Sequence, residues 1–128
     1  MTVTRIPSPS PYAPVVGFSA GVRAGDLVLV AGVSATGPDG EVVGDDNAYA
    51  QTRETLRKIE EILSAAGARL DQVVQTRMYI ARREDWEQVG KAHGEVFGEI
   101  LPASAMLVTA LVDPRMLVEI EAVAHVGD

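Results

Sequence analysis

Two acidic side chains near the C-terminal end of the chain are its clearest candidates for chemistry. Glu119 and Glu121 alternate with apolar residues in the segment 118–122. Residues two apart in a strand project from the same face, so their carboxylates would lie about 6–7 Å apart. A partly buried carboxylate has a raised pKa and is a usable general base near neutral pH. The pattern therefore predicts a site that activates water, although a solvated strand face is the more common meaning of such alternation.

Two further candidates are less informative. Residues 17–21 read Gly-Phe-Ser-Ala-Gly, which matches the nucleophile elbow of serine hydrolases. That motif requires a strand, a sharp turn and then a helix, whereas a strand is predicted to follow here, so we interpret the match as coincidental. His93 lies among the apolar residues of a predicted helix, and we interpret it as a packing residue rather than a ligand.

The cysteine and histidine counts exclude several chemistries. The chain contains no cysteine, which rules out thiolate nucleophiles and cysteine-based zinc sites. Its two histidines, His93 and His125, are not at the spacing of metal ligands. We therefore predict neither a metal ion nor a cofactor.

Length and charge indicate the class of protein. The 128 residues are 47% hydrophobic and carry a formal net charge of -7. This is the size of one globular domain, residues 1–128, with its own core. The acidic balance argues against nucleic acid as a partner, because phosphate binding needs clustered Lys and Arg. No apolar run approaches the roughly 18–20 residues that span a bilayer, and no signal peptide is visible, so we expect no membrane association and a cytoplasmic location.

The elements that must position these residues follow from the hydrophobic periodicity. The predicted order is a Pro- and Ser-rich extended arm (1–14), a hairpin (18–23 and 27–31), a helix (48–66), a strand (74–80, with Val74, Thr76, Met78 and Ile80 on one face), a second helix (84–98) and a closing hairpin (105–111 and 117–126). This order predicts an α+β domain with a mixed sheet and both helices on one face. The strand at 27–31 is apolar on both of its faces, so we expect another subunit to cover the second face of the sheet.

Several local strings, taken in order, resemble a known family over nearly the whole chain. They are Pro11-Tyr12, Val22–Asp26 running into Leu27–Val30 and Gly32, Gly37–Gly40, Ala65–Gly67, Leu70–Thr76, Pro102-Ala103 and Val118–Ala124. The chain resembles the Rid/YjgF family of enamine and imine deaminases, whose members also carry the name L-PSP endoribonuclease. The final string, at its distance from Pro102-Ala103, is the most specific part of the resemblance.

The resemblance implies a chorismate-mutase-like subunit that forms a homotrimer, with the sheets facing inward and a ligand cleft between neighbouring subunits. In active members an Arg directly after Pro-Ala binds the substrate carboxylate, since its fork donates two parallel hydrogen bonds. A Glu in the final strand helps to position or activate water. Glu119 matches that Glu.

The chain departs from the family pattern at the Arg position, which is Ser104, and two residues later, where Met106 replaces the usual Cys. A hydroxyl cannot replace a guanidinium, because losing a hydrogen bond to a charged group costs about 1.5–3 kcal/mol. The resemblance then implies catalytic roles for Glu119 and Ser104 and a ligand pocket formed by Phe18, Tyr12, Ala31, Gly32 and Met106. Such a pocket should prefer an uncharged or differently oriented ligand.

Two functions remain open at this stage. One is a divergent Rid-type hydrolase or deaminase that acts on a small imine, enamine or carbonyl compound in a subunit-interface cleft. In that reading Glu119 positions water and Ser104 donates a hydrogen bond. The alternative is a ligand-binding or accessory protein that kept the scaffold without deaminase chemistry. A ribonuclease, the third possibility, is disfavoured because the chain is acidic and lacks a basic groove.

Overall fold

A computed structural model of the protein describes residues 2–127, so Met1 and Asp128, the two ends of the predicted domain, lie outside the described residues. Its strands and helices are β1 (Val3–Ile6), α1 (Ala13–Val16), β2 (Gly21–Ala24), β3 (Leu27–Ser34), α2 (Ala48–Ala65), β4 (Val73–Ile80), α3 (Trp86–Phe97), β5 (Ala103–Val108) and β6 (Val118–His125). No helix within residues 2–127 is long and apolar enough to cross a membrane.

The six strands form one mixed sheet in the order β1-β2-β3-β6-β4-β5. All neighbouring pairs are antiparallel except β4 and β5, which run parallel and are joined through α3. The two long helices pack against each other, and their apolar residues share one core with the sheet. The predicted α+β class, with a mixed sheet and two helices on one face, is confirmed.

Helix α2 forms where the sequence predicts a helix and supplies much of the core. The Asn47 side chain caps its start by accepting a hydrogen bond from the backbone N–H of Ala50. Leu56, Ile59 and Leu63, which recur at helical spacing, are buried against β3 and β6. This helix covers one face of the central strands and leaves their other face open.

The prediction that the last two strands form a hairpin is wrong. β5 pairs only with β4 at one edge of the sheet, whereas β6 lies between β3 and β4. The central place goes to the strand that can bury one complete face: Val118, Ile120, Ala122 and Ala124 are all buried. β5 offers mostly small or exposed side chains, which suit an edge.

The predicted extended arm over residues 1–14 differs from the structure at both of its ends. Val3–Ile6 precedes the first proline and pairs with β2 as an ordinary edge strand. Ala13–Val16 forms a single helical turn, which tolerates Pro14 because the first N–H groups of a helix lack intrahelical partners. Prolines forbid the interior of a helix but not its start, and this distinction was missing from the prediction.

The strand at 27–31, predicted to be buried on both faces, is buried on one face of the single chain. Val28 and Val30 face α2 and are buried, while Leu27 and Leu29 are 43% and 45% exposed. The open face of the sheet therefore carries large apolar side chains that a single copy of the chain does not cover.

The buried side chain of Gln51 yields a stability prediction. Its Nε2 donates to the backbone oxygens of Asp45 and Arg115, and its Oε1 accepts from the backbone N–H of Leu117. Gln51→Leu keeps the side-chain volume but leaves these buried backbone groups without hydrogen-bond partners. We therefore expect a loss of about 2–3 kcal/mol in the free energy of unfolding, measured with urea. The exposed Gln88→Leu should change it by less than about 0.5 kcal/mol. Equal effects of the two substitutions would refute this role for Gln51.

Candidate functional site

The two carboxylates of β6 project from the open face of the sheet. Glu119 and Glu121 are half-buried there, while Ile120 between them and Val118 before them point into the core. In the neighbouring β4, Tyr79 lies beside Glu119 in the register, and its hydroxyl donates a hydrogen bond to Oε1 of Glu121. Within residues 2–127 no side chain hydrogen-bonds to Glu119, so this carboxylate is the one left to act on a ligand.

A β-bulge in β3 makes room for the Glu119 side chain. Between Val30 and Val33 the chain advances three residues while β6 advances two. The extra residue brings Gly32 against Glu119, where an added Cβ would overlap the carboxylate. A larger residue at position 32 would displace the carboxylate, so glycine keeps this space open for Glu119.

The Glu119 carboxylate opens into a cavity of about 270 Å³. Glu119, Glu121 and Tyr79 contribute polar groups to its lining, and the segment 109–112, which includes the exposed Val112, lines it as well. No Lys or Arg from the described part of the chain lines it. The cavity therefore fits a small molecule and offers no cation to bind a ligand carboxylate.

Burial is the main reason that the pKa of Glu119 is raised above its ordinary value, and the neighbouring charge of Glu121 raises it further. The Glu121 carboxylate accepts the Tyr79 hydroxyl, and this hydrogen bond raises the pKa of Tyr79, which stays a protonated phenol. The two carboxylates thus have different environments: Glu121 is engaged by a neutral donor, and Glu119 is a free, strengthened base.

Ser104 lies elsewhere. It pairs with Thr76 in the β4–β5 register, and the two hydroxyl oxygens are 2.6 Å apart. The buried Thr76 hydroxyl is also 2.8 Å from Nε2 of His93 on α3, and Ser104 Oγ lies 3.2 Å from the Pro102 carbonyl oxygen, to which it can donate. Burial lowers the pKa of His93, so its imidazole is neutral at neutral pH.

One chain does not bring Ser104 and Glu119 together. Thr76 and Ser104 belong to the face of the sheet that packs on the helices, whereas Glu119 belongs to the open face. The two residues expected to act as the catalytic pair therefore stand on opposite sides of the same sheet.

The remaining predicted pocket residues are dispersed. Gly32 shares the cavity of Glu119. Phe18 and Ala31 line a second, larger and more enclosed depression of about 530 Å³ on the open face. Met106 packs against the core, and Tyr12 is half-exposed beside α1 and lines neither of these two cavities.

Sequence reasoning missed the contacts of three residues beside the predicted site residues. The contact of Tyr79 with Glu121 was not predicted, although the correct strand order would have placed Tyr79 opposite the β6 carboxylates. Thr76 was placed on the buried face without a polar partner, and His93 was interpreted as a packing residue. A buried hydroxyl requires a partner, and this requirement was the available signal for their contact.

The raised pKa of Glu119 predicts that this carboxylate lowers stability near neutral pH. A carboxyl whose folded pKa is raised contributes most favourably below the unfolded value, near 4.5, and loses that contribution as pH rises through the folded pKa. Glu119→Gln should therefore raise Tm by a few degrees at pH 7, with the gain vanishing below about pH 4.5. Calorimetry across this range measures it, with Glu87→Gln on the exposed side of α3 as control. A gain that persists unchanged at low pH contradicts this origin.

Comparison with known proteins places these features in a family. A sequence profile of the endoribonuclease L-PSP family matches residues 9–126. The chain is 35% identical to the uncharacterized protein SCO2049 of Streptomyces coelicolor over 126 residues, which cover 98% of this chain and 93% of that protein. It is 34% identical to the 3-aminoacrylate deaminase RutC of Acinetobacter baylyi over 119 residues, which cover 93% of this chain and 92% of the relative.

Solved structures of related proteins have the same fold as this chain. The fold superposes with a TM-score of 0.86 on Rv2704 of Mycobacterium tuberculosis, a member of the YjgF/YER057c/UK114 family that is 44% identical, covering 97% of this chain and 99% of that one. The YjgF gene product of E. coli gives 0.81 at 26% identity, covering 95% and 98%. With the profile match and these relatives, the chain belongs to the endoribonuclease L-PSP family, the group that is also called YjgF.

Proposed function

We propose that this protein binds and hydrolyses a small, uncharged imine or enamine, with Glu119 activating the attacking water. The observation that carries the proposal is a half-buried carboxylate with a raised pKa and no hydrogen-bond partner within residues 2–127, facing a small cavity. A relative named as a 3-aminoacrylate deaminase supports the reaction class. The proposal includes a cytoplasmic location, where amino-acid-processing enzymes release such intermediates.

The proposed reaction needs one base that becomes an acid. Glu119 takes a proton from water as the water oxygen attacks the C=N carbon and the π electrons move to nitrogen. The Glu119 carboxyl returns this proton to the nitrogen and gives a neutral amino alcohol. Glu119 then takes the proton of the adduct hydroxyl and passes it to the same nitrogen, which becomes an ammonium leaving group. As the C–N bond breaks, the adduct oxygen becomes the carbonyl oxygen, so that imine and water give carbonyl compound and ammonia. A carboxyl with a raised pKa suits both directions of transfer.

The chemistry of the cavity favours an uncharged substrate. Ser104 occupies the position where the resemblance implies a carboxylate-binding Arg, and the cavity around Glu119 has no cation from the described residues. A ligand carboxylate placed in this cavity would meet the like charges of Glu119 and Glu121, because Arg77, which lies opposite Glu121 in the register, lines the neighbouring depression and not this cavity. Acidic imines should therefore be poor substrates.

The proposal includes a homotrimer with the sheets facing inward. The exposed Leu27 and Leu29 on the open face are the apolar surface that such an assembly would cover. Because Glu119 and Ser104 lie on opposite faces of one sheet, they can act on one ligand only if neighbouring subunits supply them. Each cleft would then combine Glu119 of one copy with Ser104 of the next.

A second candidate is a binding or accessory protein without turnover, and the observation that favours it is the hydroxyl at position 104. Such a protein would hold the same small ligand, an uncharged imine, enamine or carbonyl compound. The turnover experiment below separates the two functions.

The turnover test uses an amine oxidase that releases the imine of butanal from butylamine. The wild-type protein should accelerate aldehyde appearance, and Glu119→Gln should lower this acceleration by about 100-fold or more, since a general base contributes 10²–10⁴-fold. Glu121→Gln, the matched neighbour, should lose less than about tenfold. No acceleration by the wild type would favour the binding protein, and equal acceleration of the acidic imine 2-aminoacrylate would contradict the preference for uncharged substrates.

Mixing two inactive variants tests whether the site is shared between subunits. A trimer that contains only the Glu119→Gln variant, or only the Ser104→Leu variant, should have no complete site in any of its clefts. When equal amounts are unfolded together and refolded, random assembly should return about one quarter of the wild-type activity, because one ordered pair of neighbours in four is intact. A mixture of either variant with the double variant should return none. No recovery in the first mixture, with trimers formed, would show that each site lies within one chain.

A further inference from the structure

A chain of hydrogen bonds runs from the surface at Ser104 to the imidazole of His93. Ser104 Oγ and Thr76 Oγ1 are 2.6 Å apart, and Thr76 Oγ1 and His93 Nε2 are 2.8 Å apart. Each hydroxyl has one proton and two lone pairs, so each can donate or accept. A neutral imidazole carries its proton on either nitrogen. Ser104, Thr76 and His93 can therefore exchange their donor and acceptor roles together without moving a heavy atom.

The two directions present opposite groups at the surface. When His93 Nε2 is unprotonated, Thr76 donates to it and Ser104 donates to Thr76, which leaves lone pairs of Ser104 Oγ free to accept from a ligand. When His93 carries its proton on Nε2, it donates to Thr76 and Thr76 donates to Ser104. The Ser104 proton then turns outward, to the Pro102 carbonyl in the empty site or to a ligand acceptor.

The residues around these hydrogen bonds keep both donor–acceptor directions available. Thr76 is fully buried, so its hydroxyl has no access to water and must use these partners. The Phe97 ring packs against the His93 ring with centroids 4.7 Å apart, which holds the imidazole in place. Burial also lowers the pKa of His93, so that the neutral form, the only one with two tautomers, dominates at neutral pH.

We propose that Thr76 and His93 make Ser104 a two-way hydrogen-bonding group that accepts from the N–H of a bound imine and donates to the oxygen of a bound carbonyl. This inference rests on the proposed function for the pairing of these two ligands. Hydrolysis of an imine turns a donor N–H into an acceptor C=O at one place in the ligand. A guanidinium at position 104 could only donate, whereas the reversible hydroxyl chain fits both forms. Thr76 and His93 are positioning residues, because they act through Ser104.

The test reads the protonated nitrogen of His93 by ¹⁵N NMR and involves no turnover, so failure of the hydrolase proposal leaves its outcome readable. Two uncharged five-membered rings serve as probes: cyclopentanone, which only accepts, and pyrrole, whose N–H donates. Cyclopentanone should raise the fraction of His93 protonated at Nε2, and pyrrole should lower it. His125, which is exposed near the C terminus, provides an internal reference that should not respond.

Variants separate this relay from a merely structural hydrogen bond. Thr76→Ser keeps the hydroxyl and should keep both responses, while Thr76→Val has the same shape and should abolish them. Ser104→Ala breaks the chain at its exposed end, where folding is least at risk, and should also abolish them. The proposal is overturned if both probes shift the His93 tautomer in the same direction, if Thr76→Val or Ser104→Ala responds like the wild type, or if neither probe alters His93 up to its solubility limit.

Discussion

The central place of β6 is the constraint on which the rest of the structure depends. This strand lies between β3 and β4, so one of its faces packs beneath α2 and the other faces the open side of the sheet. The side chains of β6 alternate strictly between these two faces. One face completes the core with Val118, Ile120, Ala122 and Ala124, and the opposite face carries Glu119 and Glu121. A slip of one residue would exchange the two sets and bury both carboxylates.

Holding a carboxylate on a central strand also explains its chemistry. The bulge at Ala31 and Gly32 opens just enough space for Glu119, and the cavity walls reduce its contact with water. The same confinement raises the pKa of Glu119 and makes it a stronger base, at a cost in stability that the packed face of β6 offsets. Tyr79 makes the two carboxylates different, because its hydroxyl donates a hydrogen bond to Glu121 and not to Glu119.

Much of this arrangement could be predicted from the sequence, and the failures around the candidate site share one physical cause. Helix α2 and the alternation of β6 follow from local periodicity and were predicted. Strand order was not, because periodicity does not report which strands pair across long connections. Periodicity does not reveal β-bulges either. Val74 was predicted to share a face with Thr76, but the register shift at the start of β4 buries Val73 instead and leaves Val74 48% exposed. The contacts of Thr76 and Tyr79 depend on that order and were missed with it.

The separation of Ser104 and Glu119 bears on how this fold can evolve new specificity. On one sheet the two residues belong to opposite faces, and no small change of a side chain brings them together. If neighbouring copies supply them, the polar chain behind Ser104 and the bulge beside Glu119 are built by different parts of the subunit and can vary independently. Replacement of a guanidinium by a hydroxyl linked to His93 would then alter ligand recognition on one side of the cleft, while the base on the other side keeps the environment that raises its pKa. The chemistry of the base and the choice of ligand would thus be separable properties of one subunit surface.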